Sequence, residues 1–566
     1  MNTQLFYRLV WGLIIFVLAT GLVLPPLMDN DAAEYAGVAM TMLQRNDWLT
    51  IVNRHPSTGY LTDYLDKPHM LFWSAMAGFK IFGVNHVGYR FFSILFSLAG
   101  AFATAKLGKH LYNKEVGRWA ALIFFTSQAI MLANHDVRTD SLLTSFVILS
   151  IWQLILFIDK QNLLHLVLGF LLLALAVGTK GMVATIAIGC LLFFYMLGKK
   201  DWRGIFNIKW IIGLIVFLIG LSPFLYAYYL QFDLHPEKFV NGAHGTSGVK
   251  FLLWSQSFER FAGDRGLTNS PEFSFFYHTI LWAFLPWSVL MVFAVFSRFK
   301  ELVQSRFSSF FKREQLTFLG VWAMFNFMSL SKFKLPHYLN ILFPLLAIFT
   351  AAHLYELIAK QKDLILKKLM IGQLIIAGLL LVGTVIITSW AFPQKEIWII
   401  LVAIIMLIIL ILSLRANKNI TDKIILFTTS TSLLVNFILN AQFYPALGKY
   451  QSGNTMATLI NEAGIPSEDV FIYGKIVRSF DFYSGKYVPM LDSAGIAKKI
   501  EGGNSVYIFT AAEYNDQLAK QFPEARQVLT CPDKHITRLK LSFLDPKKRS
   551  IEMPYATLYK LESPKK

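Results

Sequence analysis

Cysteine is almost missing. Cys190 and Cys531 are the two thiols in 566 residues, and Cys190 lies in an apolar run, so no disulfide framework holds this fold and no bond between them is expected. Charged side chains are scarce as well, at 16% against about 25% in an average soluble protein. Apolar residues reach 55% and the mean hydropathy is +0.49. A soluble chain of this length would need several charged surfaces, so that class is excluded. Disorder, which requires low hydrophobicity, is excluded too. Acidic residues run short: 35 Asp and Glu stand against 53 Lys and Arg, a net charge of +18. Such an excess suits either nucleic acid or the inner face of a membrane, and its distribution decides between them. The sequence contains no Gly-rich phosphate loop, no internal repeat and no low-complexity tract. After Arg8, the apolar run to Leu24 has no small-residue cleavage site and ends at Pro25 and Pro26, so it is expected to be a retained first transmembrane helix.

A bilayer-spanning helix needs about 17–25 largely apolar residues. Thirteen stretches free of Asp, Glu, Lys and Arg meet or approach that length: 9–24, 91–105, 119–134, 141–158, 161–179, 181–198, 210–232, 273–297, 315–331, 335–355, 369–394, 397–414 and 424–448. Gly178 and Gly181 are expected to mark a turn between the fifth and sixth. The connections then alternate between two sides. Those on one side, including Lys199-Lys200-Asp201-Trp202-Arg203 and Lys312-Arg313, carry 22 Lys/Arg and 8 Asp/Glu; those on the other, without the tail from residue 449, carry 14 of each. The positive-inside rule makes the first side cytoplasmic, with the N-terminus inside and the C-terminus outside. Most of the charge excess is therefore topological and gives no case for nucleic-acid binding.

Two external loops are long, 25–90 and 233–272, and loops of that size are usually functional. In the first, Ala32 to Leu43 and Pro68 to Phe82 read as helices lying along the outer membrane interface. Beyond residue 449 the pattern changes. Residues 469–473, 505–509 and 556–560 read as strands and 513–521 as a helix, so residues 1–448 form a membrane domain and 449–566 a small external α/β domain.

Ionisable residues concentrate at the external helix ends. Asp29 and Asp31 follow the first span, Asp66-Lys67-Pro68 lies in the first long loop, Asp136, Arg138 and Asp140 fill one short connection, and Lys180, Lys332 and Lys334 sit in others. Charged groups this close to hydrocarbon are costly and often functional. The structural alternative for each is snorkelling or a satisfied ion pair; for Asp136 it is a helix cap, and for His135, His244 and His337 an interfacial position. A set gathered on one face points further. Carboxylates can take a proton from an acceptor or orient it, while Lys and Arg can hold a phosphate and its leaving-group charge. A lipid phosphate presents its headgroup at this depth, which suggests group transfer from a lipid-linked phosphate donor.

The motifs add a resemblance. Asp31-Ala32-Ala33-Glu34-Tyr35-Ala36 with Asn46-Asp47-Trp48, Tyr64-Leu65-Asp66-Lys67-Pro68, Phe82-Gly83 to Arg90, Arg138-Thr139-Asp140, Thr179-Lys180-Gly181 and Ser331-Lys332-Phe333-Lys334-Leu335-Pro336-His337-Tyr338 occur in the order found in bacterial polyprenyl-phosphate-sugar glycosyltransferases. That family includes the 4-amino-4-deoxy-L-arabinose lipid A transferases and is related to the protein O-mannosyltransferases. The chain resembles it most over about residues 10–350, and Ser479-Phe480-Asp481-Phe482-Tyr483 in the tail is similar to a further family segment.

The resemblance implies a GT-C fold and an inner-membrane enzyme that moves a sugar, with inversion, from a polyprenyl-phosphate donor to a lipid, protein or glycan acceptor on the periplasmic face. It implies Asp31 and Asp140 as the acidic pair, with Asp31 facing the acceptor. It places Tyr64, Lys67, Lys180, Arg260, Lys332, Lys334 and Tyr338 at the donor phosphate, with Asp29, Asp66 and Arg138 as further candidates. No cofactor is required. A structural zinc, which lipid A transferases can hold, is doubtful here, because Gln256 and Ser257 stand where the family has Glu and His, and Asp66 stands for the carboxylate of its Glu-Lys-Pro motif. The expected partners are the donor, the acceptor and membrane lipids. A transporter or lipid flippase is the alternative; it would show midplane charges and inverted repeats.

Overall fold

The computed structural model describes residues 3–56, 58–200, 202–263, 272–305, 315–393, 395–415, 419–501, 505–537 and 539–562. Lys312-Arg313, Asp201 and residues 264–271 of the 233–272 loop lie outside the described residues.

Every stretch expected to span contains helix. Nine described helices are long and apolar enough to cross a bilayer, and Lys114–Phe125 with Gln128–His135 makes a tenth, bent by 56°. The other three are shorter or interrupted: Val183–Lys199, the pair Phe275–Ala283 and Ser288–Gln304, and Gln315–Gly320 running into Val321–Ser329. Caps set several starts. Asn85 accepts from Gly88 N, Asn113 from Val116 N and Asn419 from Asp422 N, satisfying amides that a helix start leaves free. Gly181, at φ 76°, ends Leu163–Lys180. Gly178 belongs to that helix and not to the turn. A Cβ there would lie 2.4 Å from the Phe224 ring, so the glycine lets the helix Lys209–Tyr228 pack closely.

The first long loop is folded. Asp31–Gln44 and Met70–Phe82 are helices joined through the hairpin Val52–Arg54 and Leu61–Asp63. Gln231, at the end of the span that leads into the second long loop, ties that end to the first loop, bonding Ile51 N at 3.0 Å, Ile51 O at 2.7 Å and Asp63 Oδ1 at 2.8 Å. Asp31–Gln44 forms the expected helix. It is buried from Ala32 to Met42 except at the half-buried Glu34, packed against Met70–Phe82 and the tail helix Arg478–Tyr483.

The tail holds a four-stranded sheet in the order Val470–Tyr473, Val506–Thr510, Tyr555–Leu561, Arg526–Pro532; the first pair is parallel and the other two antiparallel. Alternation divides its faces. Val470 and Ile472 pack with Met456 and Phe480, while Phe471 and Tyr473 pack with Ile496 and Leu518.

Side chains join the tail to the first loop. Arg54 Nη1 reaches Asp481 Oδ1 at 2.6 Å with both side chains buried. Asp29 accepts from Ser479 N at 2.8 Å and Ser479 Oγ at 2.6 Å, and Tyr483 accepts from Leu27 N at 2.8 Å. Burial pushes the Asp29 carboxyl up to about 6 against the Ser479 hydrogen bonds. A raised acid pKa favours the folded state below the unfolded value of about 4, and that contribution fades as pH rises through about 6. The melting temperature in detergent is therefore expected to fall between pH 4 and pH 7, and less steeply in Asp29→Asn; equal slopes would contradict this reading.

Candidate active site

The polar end of the site is assembled from four segments. Lys67 precedes Met70–Phe82 and Lys180 closes Leu163–Lys180, where helix carbonyls favour a cation. Arg260 follows the π-helical turn Phe251–Glu259, and Tyr338 lies on the 3₁₀ turn Pro336–Leu342. These four groups head a cavity of about 360 Å³ whose walls are apolar, among them Leu143, Ile186, Phe258, Met324, Phe327 and Phe333. Lys180 Nζ lies 4.4 Å from the Tyr338 ring centre. Asp66 bonds Lys67 and accepts from Arg260 Nη2 at 2.8 Å. Burial raises the Asp66 carboxyl, but Lys67 and Arg260 outweigh it and hold it down at about 2. The carboxylate thus spaces two cations whose remaining N–H groups can meet an anion.

A second cavity, about 830 Å³, lies on the other side of Asp140. Asp29, Asp31, Asp136, Arg138, Asp140 and His337 line it. Arg138 bridges Asp31 at 2.8 Å and Asp136 at 3.0 Å. Burial raises Asp136, against the opposing pull of Arg138. Asp140 starts the helix Asp140–Lys160, is 3% exposed and accepts from Lys180 Nζ at 2.6 Å. One ion pair therefore separates the two cavities: Lys180 lines the first and Asp140 the second. Such an arrangement can hold a phosphate on a cationic seat with an apolar tail behind it, and can place carboxylates on the opposite side of the reacting carbon.

Most of the sequence-derived set meets here: Asp31, Lys67, Arg138, Asp140, Lys180, Arg260 and Tyr338 line one cavity or the other. Tyr64 stands just behind, its ring on Phe72 at 6.3 Å beside Tyr35. Lys332 and Lys334 line neither cavity. Lys332 is exposed, and Lys334 Nζ donates to the Glu272 carbonyl at 2.7 Å. Asp29 lines the second cavity but is held by Ser479. Asp136 binds Arg138 and does not cap the following helix, whose N-cap is Thr139.

His337 is not simply interfacial: its Nε2 lies 3.6 Å from Asp140 Oδ2 in the second cavity. His135 is buried against Tyr444, with ring centres 4.0 Å apart. The residues that depart from the family motif have work of their own. Gln256 Nε2 donates to the Asp66 carbonyl at 3.0 Å, and Ser257 Oγ accepts from Val183 N at 3.1 Å. Among the described residues, no group of three or more His, Cys, Asp or Glu is placed to hold a metal.

Residues 66–227 match the dolichyl-phosphate-mannose-protein mannosyltransferase family. An uncharacterised protein of Aquifex aeolicus is 29% identical over 57% of this chain and 58% of its own length. The undecaprenyl phosphate-α-4-amino-4-deoxy-L-arabinose arabinosyl transferase of Pseudomonas aeruginosa is 26% identical over 59% of this chain and 57% of its own. The chain thus spans under two thirds of the length of these relatives. The crystal structure of ArnT from Cupriavidus metallidurans bound to undecaprenyl phosphate superimposes over 99% of both chains with a TM-score of 0.72 at 17% identity. The chain therefore has the GT-C fold of that protein and resembles the polyprenyl-phosphate-sugar glycosyltransferases in both sequence and architecture.

Proposed function

We propose that the chain is a membrane glycosyltransferase that takes a sugar from a polyprenyl phosphate and passes it, with inversion, to an acceptor on the external face. The observation that carries this reading is the Asp140–Lys180 pair standing between a cation-headed apolar cavity and a carboxylate-lined one. The donor's phosphate sits on Lys67, Lys180 and Arg260, its isoprenoid chain along the phenylalanine walls. Its anomeric carbon faces the second cavity, where Asp31, with 44% of its side chain exposed, meets the acceptor. As the bond to phosphate breaks, charge grows on the leaving oxygen and the three cations stabilise it. Asp140 holds Lys180 in place, and Arg138 orients Asp31. The names of the curated relatives and the undecaprenyl phosphate held by the solved neighbour support the donor class.

The orientation proposed from loop charge puts the N-terminus in the cytoplasm and residues 449–566 in the periplasm of an inner membrane. A flippase is not favoured, because Asp140 and Lys180 sit at the ends of their helices and not at mid-span.

The test uses purified protein with labelled polyprenyl-phosphate sugar and an envelope lipid extract, following release of polyprenyl phosphate. Lys67→Ala is expected to raise the donor KM by about 10-fold or more, a charge-assisted phosphate contact being worth about 1.5–3 kcal/mol. Turnover indifferent to this change would remove Lys67 from the donor seat.

A further inference from the structure

The two cavities differ in the sign of what they can hold. The first presents Lys67, Lys180 and Arg260, suited to phosphate. Around the second stand four carboxylates, Asp29, Asp31, Asp136 and Asp140, with Arg138 as the lining guanidinium. Arg138 is already shared between Asp31 and Asp136, and Asp140 takes its cation from the neighbouring cavity.

The unused hydrogen-bonding capacity of this wall has the same bias. Asp136 Oδ1 has no hydrogen-bond partner, and Asp140 Oδ2 faces His337 Nε2 at 3.6 Å, too far for a hydrogen bond, although the two aspartates are 9% and 3% exposed. Asn340 Oδ1, on a third lining residue that is 1% exposed, is also unpartnered. A carboxylate oxygen only accepts, and a buried acceptor left unpaired is costly. A wall of this kind calls for a ligand that brings O–H donors. A phosphate dianion brings none and would add charge beside carboxylates.

Beside these polar groups, and Asn30, His337, His535 and Thr537, the cavity has an apolar part formed by Leu132, Ala133, Trp282, Phe443 and Leu447. A hydrocarbon anchor fits there better than a polypeptide, whose backbone groups would need partners.

We propose that the sugar is received by an uncharged hydroxyl of a lipid-anchored saccharide and not by a phosphate; this rests on the transferase reading above. The acceptor oxygen bonds to the anomeric carbon as the bond from that carbon to the donor phosphate oxygen breaks. The electron pair stays on that oxygen, leaving polyprenyl phosphate one charge more negative on Lys67, Lys180 and Arg260. The hydroxyl proton passes to Asp31.

The experiment uses the full chain in proteoliposomes, with metabolically labelled polyprenyl-phosphate sugars from the producing cells as donor. The acceptor is the envelope lipid extract of cells lacking the protein, used untreated, after removal of phosphomonoesters, or after acetylation of hydroxyls; envelope protein forms a separate arm. The expected result is transfer to lipid that survives phosphatase treatment and is lost on acetylation, giving a product stable to mild acid, as a glycoside is. Loss of transfer after phosphatase, with label released by mild acid, would overturn the hydroxyl assignment. Label entering the protein fraction alone would overturn the lipid anchor. If whole envelopes elicit no release of polyprenyl phosphate, the transferase reading itself fails, and this inference fails with it.

Discussion

Asp31→Asn is expected to lower kcat by about 10²- to 10⁴-fold, the range over which a positioned general base acts. The donor should bind almost as before, because Asp31 lines the second cavity and Lys67, Lys180 and Arg260 line the first. Asparagine keeps the size of the side chain and a carbonyl oxygen for Arg138, which donates to Asp31 at 2.8 Å. What it removes is the capacity to take a proton. The loss should therefore fall on kcat, with the donor KM nearly unchanged. A matched rise in donor KM would place Asp31 at the phosphate instead. Asp140→Asn should behave differently: it releases Lys180, bonded at 2.6 Å, so kcat and donor KM are both expected to suffer. Steady-state kinetics on the two variants separate these roles.

The second large effect concerns stability. Arg54 and Asp481 are 427 residues apart in sequence and bonded at 2.6 Å with side-chain exposures of 0% and 1%. Removing one partner strands the other charge, at a cost of about 3–5 kcal/mol. Asp481→Ala is thus expected to lower the melting temperature and to speed proteolysis in 449–566. Replacing both residues with leucine should restore much of the loss, since an apolar pair of similar volume leaves no unpaired buried charge. If the double variant is no better than Asp481→Ala, the pair is not what couples tail to loop. The coupling matters for the site: Ser479, two residues before Asp481, holds Asp29 at the mouth of the second cavity.

Much of the site was legible because membranes restrict where charge can go. Asp140 and Lys180 border apolar runs and Asp31 follows one closely, so sequence alone places them on one face, and the family motifs add Lys67, Arg260 and Tyr338. Lys332 and Lys334 misled because they lie in an irregular segment, where neither helix nor strand periodicity says which way a side chain turns. His337 sits in the same segment, and its nearness to Asp140 depends on how the turn Pro336–Leu342 packs on another helix.

Pairs such as Arg54–Asp481 and Asp29–Ser479 leave no local trace, because each joins distant parts of the chain. In the tail, the strands Val470–Tyr473 and Val506–Thr510 were readable from their apolar runs. Arg526–Pro532 was not, being an edge strand that is largely exposed. The bend after Phe125 was not read either, because residues 119–134 carry no charge, although the polar Thr126-Ser127-Gln128 interrupts the apolar run where the helix breaks.

The central claim is that the Asp140–Lys180 pair divides a donor seat from an acceptor seat. It is tested most directly in proteoliposomes that hold labelled polyprenyl-phosphate sugar and receive envelope lipid extract from outside. Sugar should leave the donor with wild-type protein, and Asp31→Asn and Lys180→Ala should each suppress that transfer. Donor that crosses the bilayer with its sugar still attached, with no label reaching any acceptor, would contradict the claim and identify a flippase.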